Sequence, residues 1–167
     1  AIMGADCSGV TGAIASNVQM NNILRDCDRA EADGAELKLG GKQRAIDTGG
    51  FYIGPTIFDN ASQESQLVQN EIFGPVLAIQ AFDTEDEAVR LANGTNYGLA
   101  AGVFTQNISR AHRMIESLRA GVVHVNTYGG ADVTVPLGGV GQSGNGHDKS
   151  PHAMDKYRNL KTAWVQL

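Results

Sequence analysis

An α/β fold built on parallel strands is what the sequence predicts, and three observations carry it. Residues 76–82 form an apolar run interrupted only by Gln80; a helix signature follows directly; and two more strand-like runs, 99–104 and 122–126, are separated by a second helix signature. Strands alternating with helices in this way imply parallel pairing through right-handed crossovers, with ligands placed where the strands' carboxyl ends open into loops.

The elements can be justified in order. Ser16 is a plausible N-cap for a first helix in which Met20, Ile23, Leu24 and Cys27 recur at helical spacing, ending near Gly34. A short apolar segment, 37–39, precedes a glycine-bounded loop. The mixed segment 51–58 is interrupted by Gly54-Pro55, which predicts an irregular or edge strand. After the run 76–82, Thr84-Glu85-Asp86-Glu87 reads as a capping box with acids in the first turn, opening a helix through Ala88, Leu91 and Ala92 that Asn93-Gly94 closes. Residues 99–104 are expected as a second buried strand. Asn107 then caps a helix whose Ile108, Ala111, Ile115 and Leu118 line one face, Gly121 ends it, and 122–126 is a third strand.

Composition narrows the function. With 167 residues, 42% of them hydrophobic, the chain can bury one sizeable core, and a second independent domain is not expected. A net charge of −5 without any Lys/Arg run argues against nucleic acid or an anionic membrane as partner. Cys7 and Cys27 have neither the number nor the spacing of a disulfide framework or zinc site, which suits a reducing, cytoplasmic setting. No stretch reaches the ~20 apolar residues of a membrane span, and the first residues lack a signal-peptide pattern.

The most informative local motif is Glu71-Ile72-Phe73-Gly74-Pro75, a carboxylate and an aromatic ring two positions apart ahead of a strand. On extended backbone the two side chains share a face, so one can accept hydrogen bonds from sugar hydroxyls while the other covers a flat ring, as a nucleoside requires. Gly139-Val140-Gly141-Gln142-Ser143-Gly144 satisfies the G-x-G-x-x-G pattern of dinucleotide sites. It is not preceded by a strand, however, and only 23 residues remain to build the unit that motif needs, so a loop packed near a pocket is the expectation. Cys27 lies on the apolar helix face as a core thiol, and Cys7 lacks a helix start or basic partner that would activate it. His112, His124, His147 and His152 show no metal-ligand spacing with a third ligand. These residues amount to a binding site without a nucleophile or general base.

The motif 71–75, the following strand, and Asn96-Tyr97-Gly98-Leu99-Ala100-Ala101-Gly102-Val103-Phe104-Thr105 resemble the C-terminal half of the aldehyde dehydrogenase superfamily. So do Gly50-Phe51-Tyr52-Ile53-Gly54-Pro55-Thr56, the segment from Arg110 through Gly121-Val122 to Val125-Asn126, and Pro136-Leu137-Gly138-Gly139 leading to Gln142-Ser143-Gly144. The resemblance extends from about Thr11 to Leu167, and the ending Gly144-Asn145-Gly146-His147-Asp148-Lys149-Ser150 through Trp164 is similar to the branch oxidising γ-glutamylamino-butyraldehyde.

The resemblance implies a partial catalytic domain over 1–160 and an oligomerisation strand over 161–167. It implies NAD or NADP as cofactor, an aldehyde substrate, and a homo-oligomer. Glu71 would bind the nicotinamide ribose hydroxyls and Phe73 would pack beside the nicotinamide; Asn126, Ala131 and Leu137 would form a wall of the aldehyde pocket. The family's nucleophilic cysteine, general-base glutamate and Rossmann domain are expected upstream of the first residue, so no catalytic residue is assigned and this chain alone is expected to be inactive, with weak cofactor affinity. Leu137 replaces the usual aromatic and Val140-Gly141 the usual Tyr-Lys pair, which thins the pocket wall. The alternative is a free-standing, non-catalytic module that self-associates or binds a small molecule.

Overall fold

The computed structural model describes residues 12–130 and 132–167. The chain divides into two compact units, Ala1–Thr84 and Glu85–Leu167.

The first unit is organised by helix α1 (Asn17–Ala32), whose first turn is closed by the Ser16 hydroxyl accepting from the Gln19 amide at 3.1 Å. Met20, Ile23, Cys27 and Ala30 form its buried stripe, at the spacing expected of an amphipathic helix. Against that stripe lies a three-stranded sheet of order β1-β4-β5, made of β1 (Glu36–Leu39), β4 (Thr56–Asp59) and β5 (Val76–Ala78). β1 and β4 are antiparallel, β4 and β5 parallel. A small hairpin pairs β2 (Gln43–Arg44) with β3 (Tyr52–Ile53), and a one-turn helix α2 (Gln66–Gln69) is tied to α1 by Arg29 donating to Gln66 at 2.7 Å. Phe58 and Ile53 are fully buried in the resulting core with Ile23, Ala35, Ala61 and Leu67.

Two expectations change here. The segment 51–58 is irregular as expected, broken at Gly54-Pro55 into β3, in a two-stranded hairpin, and β4; it is β4 that departs from the edge expectation, as the central strand of its sheet, with the Thr56 N–H donating to the Pro75 carbonyl. The run 76–82 yields only three strand residues, and Leu77, Ile79 and Phe82 remain exposed in this chain.

In the second unit, β6 (Ala100–Val103) and β7 (Val122–Val125) form a parallel pair joined by α4 (Ile108–Ser117), the predicted β-α-β arrangement. Asn107 caps α4 by accepting from the Arg110 amide at 2.9 Å. The face that α4 buries is Ala111, Met114 and Leu118; Ile108 and Ile115 are exposed, a rotation of the predicted stripe by one residue. β6 alternates exposed and half-buried residues, so it is not the fully buried strand expected. Helix α3 (Glu85–Asn93) runs alongside α4 in the same direction. Glu85 at its start accepts from Arg113 Nε at 2.7 Å and Nη2 at 2.8 Å, and Asn93 at its end donates to the Ser117 carbonyl at 2.8 Å. The expected alternation of strands and helices is therefore present in order, while hydrogen bonding pairs β5 with β4 and β6 with β7.

Residues 161–167 carry no strand assignment, since a strand is defined by its partner and they have none among the described residues.

Candidate functional site

The Glu71–Pro75 motif occupies the loop between α2 and β5. Glu71 and Phe73 are both exposed, Phe73 at 69%, which is unusual for a phenyl ring beside a buried core. The backbone there is not extended. Phe73 has φ 55°, in the left-handed region that non-glycine residues seldom occupy, so the shared face that simple alternation predicts does not apply as such. Two contacts from α1 hold the loop in place. The Gln19 side-chain amide donates to the Ile72 carbonyl at 3.2 Å and to the Phe73 carbonyl at 3.5 Å, and Gly74 sits on Ile23, where an added Cβ would fall 2.6 Å from Cδ1. Past the turn, Val76 N–H donates to the Gly74 carbonyl at 2.8 Å and the chain enters β5. The Glu71 carboxylate has no hydrogen-bond or ion-pair partner among the described residues.

The predicted pocket-wall residues lie in the second unit. Asn126 follows the last residue of β7 with φ 55°. Its side-chain oxygen accepts from the Thr105 N–H at 2.8 Å and its side-chain nitrogen donates to the Thr105 carbonyl at 2.9 Å, which prolongs the β6–β7 ladder by one side-chain rung. Both of its polar atoms are thus engaged in fixing where the next loop departs. Leu137 exchanges two backbone hydrogen bonds with Asp148, at 2.8 and 2.7 Å, and Asp148 in turn pairs with Lys156, which holds the Asp148 carboxyl below its ordinary range. Ala131 and Cys7 lie outside the described residues.

The G-x-G-x-x-G stretch is a packing loop, as expected. Val140 donates to the Gly98 carbonyl at 3.1 Å, Gln142 to Asn96 at 2.8 Å, Ser143 to Val140 at 3.3 Å and Gly144 to Gly141 at 3.2 Å. A phosphate cradle needs those N–H groups unspent. The glycines are required for approach: a Cβ on Gly141, whose φ is 62°, would sit 2.4 Å from the Asn96 carbonyl oxygen.

Cys27 is buried, and the loss of hydration, followed by Asp28, Asp26 and Glu31 nearby, raises its thiol pKa to about 11. It is a core residue and not a nucleophile at neutral pH. His124 stacks obliquely with Tyr128, ring centres 5.6 Å apart, and His152 faces Asp155 at 3.7 Å. Among the described residues no group of three His, Cys, Asp or Glu could hold a metal, and no helix is long and apolar enough to cross a membrane. Gln19 is the site residue that sequence reasoning missed. It contacts the motif across 53 positions, and no local pattern marks it.

Comparison with known proteins identifies the family. The family model for the aldehyde dehydrogenase family matches residues 4–163. The betaine aldehyde dehydrogenase of Sinorhizobium fredii is 43% identical over 157 residues, 93% of this chain and 32% of that protein. The NADP/NAD-dependent aldehyde dehydrogenase PuuC of Escherichia coli is 53% identical over 115 residues, 69% of this chain and 23% of that protein. A crystal structure of indole-3-acetaldehyde dehydrogenase in complex with NAD+ superposes with a TM-score of 0.89 at 52% identity, over 93% of this chain and 31% of the other. The chain thus spans about a third or less of the length of these relatives.

Proposed function

The chain belongs to the aldehyde dehydrogenase family, and from that premise we propose that it forms the C-terminal part of a catalytic domain oxidising an aldehyde to a carboxylic acid with NAD or NADP. The observation that carries the reading is the exposed Glu71, without a partner among the described residues, beside the exposed Phe73 ring on a backbone pinned to the core.

The residues present fit the cofactor. A ribose diol offers O–H donors, and Glu71 is an acceptor-only group with its lone pairs unused by the described residues. Phe73 presents an open apolar face on which a flat ring can rest. When bound, the nicotinamide would supply the hydride acceptor. Glu71 would hold the ribose diol, and Phe73 would cover one face of the nicotinamide. Asn126, Ala131 and Leu137 contribute to the aldehyde-pocket wall, Asn126 by setting the departure of its loop from β7. The ending from Gly144 through Trp164 supports a substrate of the γ-glutamylamino-butyraldehyde type, and we read the complete enzyme as a cytoplasmic homo-oligomer.

The chemistry also needs a thiolate and a positioned base. Cys27, buried with its thiol pKa near 11, does not supply the first, so the 167-residue chain by itself is expected to show no turnover. That feature favours a second reading for the chain on its own, a non-catalytic module that binds a small molecule or its own copies.

Titration of the full chain with NAD, followed by amide chemical shifts, tests the cofactor reading. Weak binding centred on residues 71–74 is expected, lost in Glu71→Gln and Phe73→Ala; shifts that persist unchanged in both variants overturn it. An aldehyde-oxidation assay tests the rest. Any turnover by the 167-residue chain contradicts the expected inactivity, and turnover surviving simultaneous Cys7→Ser and Cys27→Ser would show that neither cysteine is the nucleophile.

A further inference from the structure

We infer that Gln19 is a positioning residue for the cofactor loop: its forked hydrogen bonds to the Ile72 and Phe73 carbonyls hold Phe73 in the left-handed conformation that presents its ring. The inference rests on the assignment of Glu71 and Phe73 to the nicotinamide end of the cofactor.

Three independent features converge on one side of α1. The Gln19 amide nitrogen lies 3.2 Å from the Ile72 carbonyl oxygen and 3.5 Å from that of Phe73. One helical turn on, Ile23 is fully buried and fills the space over Gly74 that a Cβ would need. Between these supports, Phe73 has φ 55°. A bulky side chain in that region carries a steric cost on the order of 1 kcal/mol or more, so the conformation persists only if something external holds it. Local residues do not hold it: the hydrogen bond that follows, Val76 N–H to the Gly74 carbonyl, fixes the entry to β5 and not the Phe73 peptide. Gln19 is suited to the task because it is half-buried, its amide donates through two hydrogens, and it projects from a helix whose own frame is set by the Ser16 cap and the core stripe. Removing the donor leaves two carbonyls without it and lets Phe73 relax toward ordinary backbone, which swings the exposed ring away from where Glu71 meets the ribose.

The device also accounts for the isolation of the Phe73 ring. A ring that packed on the core would need no support, whereas one kept in the open for a ligand has to be positioned through its backbone.

The test uses the full 167-residue chain and two readouts, the NAD titration and the three-bond coupling between the Phe73 Hα and the Ile72 carbonyl carbon, which is large at the positive φ seen here and small at ordinary negative φ. Gln19→Met keeps length and removes the donor; Gln19→Lys keeps a donor able to reach the carbonyls. Gln19→Met is expected to weaken NAD binding by about five- to tenfold, the scale of one lost hydrogen bond, and to move the Phe73 coupling toward extended values. Gln19→Lys is expected to keep the Phe73 coupling. Unchanged coupling and affinity in Gln19→Met overturn the inference, as does a Gln19→Lys protein that loses the coupling just as Gln19→Met does. Glu71→Gln separates the two levels: if it leaves NAD affinity unaltered, the cofactor assignment falls, while the Phe73 coupling still decides whether Gln19 holds the loop.

Discussion

At the scale of single residues, the buried polar group that matters most to the first unit is Thr56. It is 1% exposed, accepts from the Gly41 N–H at 2.9 Å and donates to the Gly54 carbonyl at 2.9 Å, so one hydroxyl closes two loop segments against β4. Replacing it by the isosteric valine keeps the volume and strands one donor and one acceptor. Thr56→Val is expected to cost about 1–3 kcal/mol in chemical denaturation, read as a lower midpoint at unchanged slope; a midpoint within error of the parent would show that water reaches Gly41. The sequence could not announce this role, since Thr56 reads as one more β-branched residue in a mixed segment. Residues with strictly local partners were legible: Ser16 and Asn107 cap helices by bonding three positions ahead, and that geometry is written in the chain order. Glu71 and Phe73 stood out by residue type, but the left-handed φ of Phe73 and its tether to Gln19 did not, because both depend on a helix more than fifty residues away.

At the scale of elements, the helices were legible and the strands less so, for a physical reason. A helix satisfies its hydrogen bonds internally, whereas a strand's identity depends on its neighbours. The central position of β4 is such a case, and so is the stripe of α4, where Met114 rather than Ile115 completes the buried face with Ala111 and Leu118. The pairing of α3 with α4 offers a test at this scale. Glu85 is held below its ordinary value of 4.5, first by hydrogen bonding to Arg113, opposed by its own partial desolvation and reinforced by Arg110. A carboxyl depressed in the folded state contributes stability that is fully present above its unfolded value and fades as pH falls through the folded one. The second unit should therefore lose stability below about pH 4.5, where Glu85 begins to protonate in the unfolded chain. Glu85→Gln should be less stable than the parent at pH 7 and converge with it at low pH, because the mutant cannot lose an interaction it lacks. Parallel stability curves for the two proteins between pH 3 and 7 would remove Glu85 from this role. The surface setting of the pair makes the effect modest and sensitive to salt.

At the scale of the whole molecule, the question is what covers residues 160–167. Leu160, Trp164, Val165 and Leu167 are exposed, and on extended backbone the sequence would point Trp164 opposite to Ala163 and Val165. An exposed apolar segment with alternating sequence and no ladder partner among the described residues is a template for strand addition, and burying it in a second copy gains both ladder hydrogen bonds and apolar area. The chain is therefore expected to associate through 161–167. Trp164 is its only tryptophan and reports on that event directly. In the dilute monomer the indole is open to water, so emission should be red-shifted; as concentration rises and sedimentation registers a heavier species, emission should move to the blue in step with the mass. Deleting 161–167 should then lower the mass at a given concentration. The two signals separate the alternatives. Rising mass with tryptophan emission that stays water-like would place the contact on another surface, and a blue shift in a species that remains monomeric would mean that the segment folds back onto its own chain.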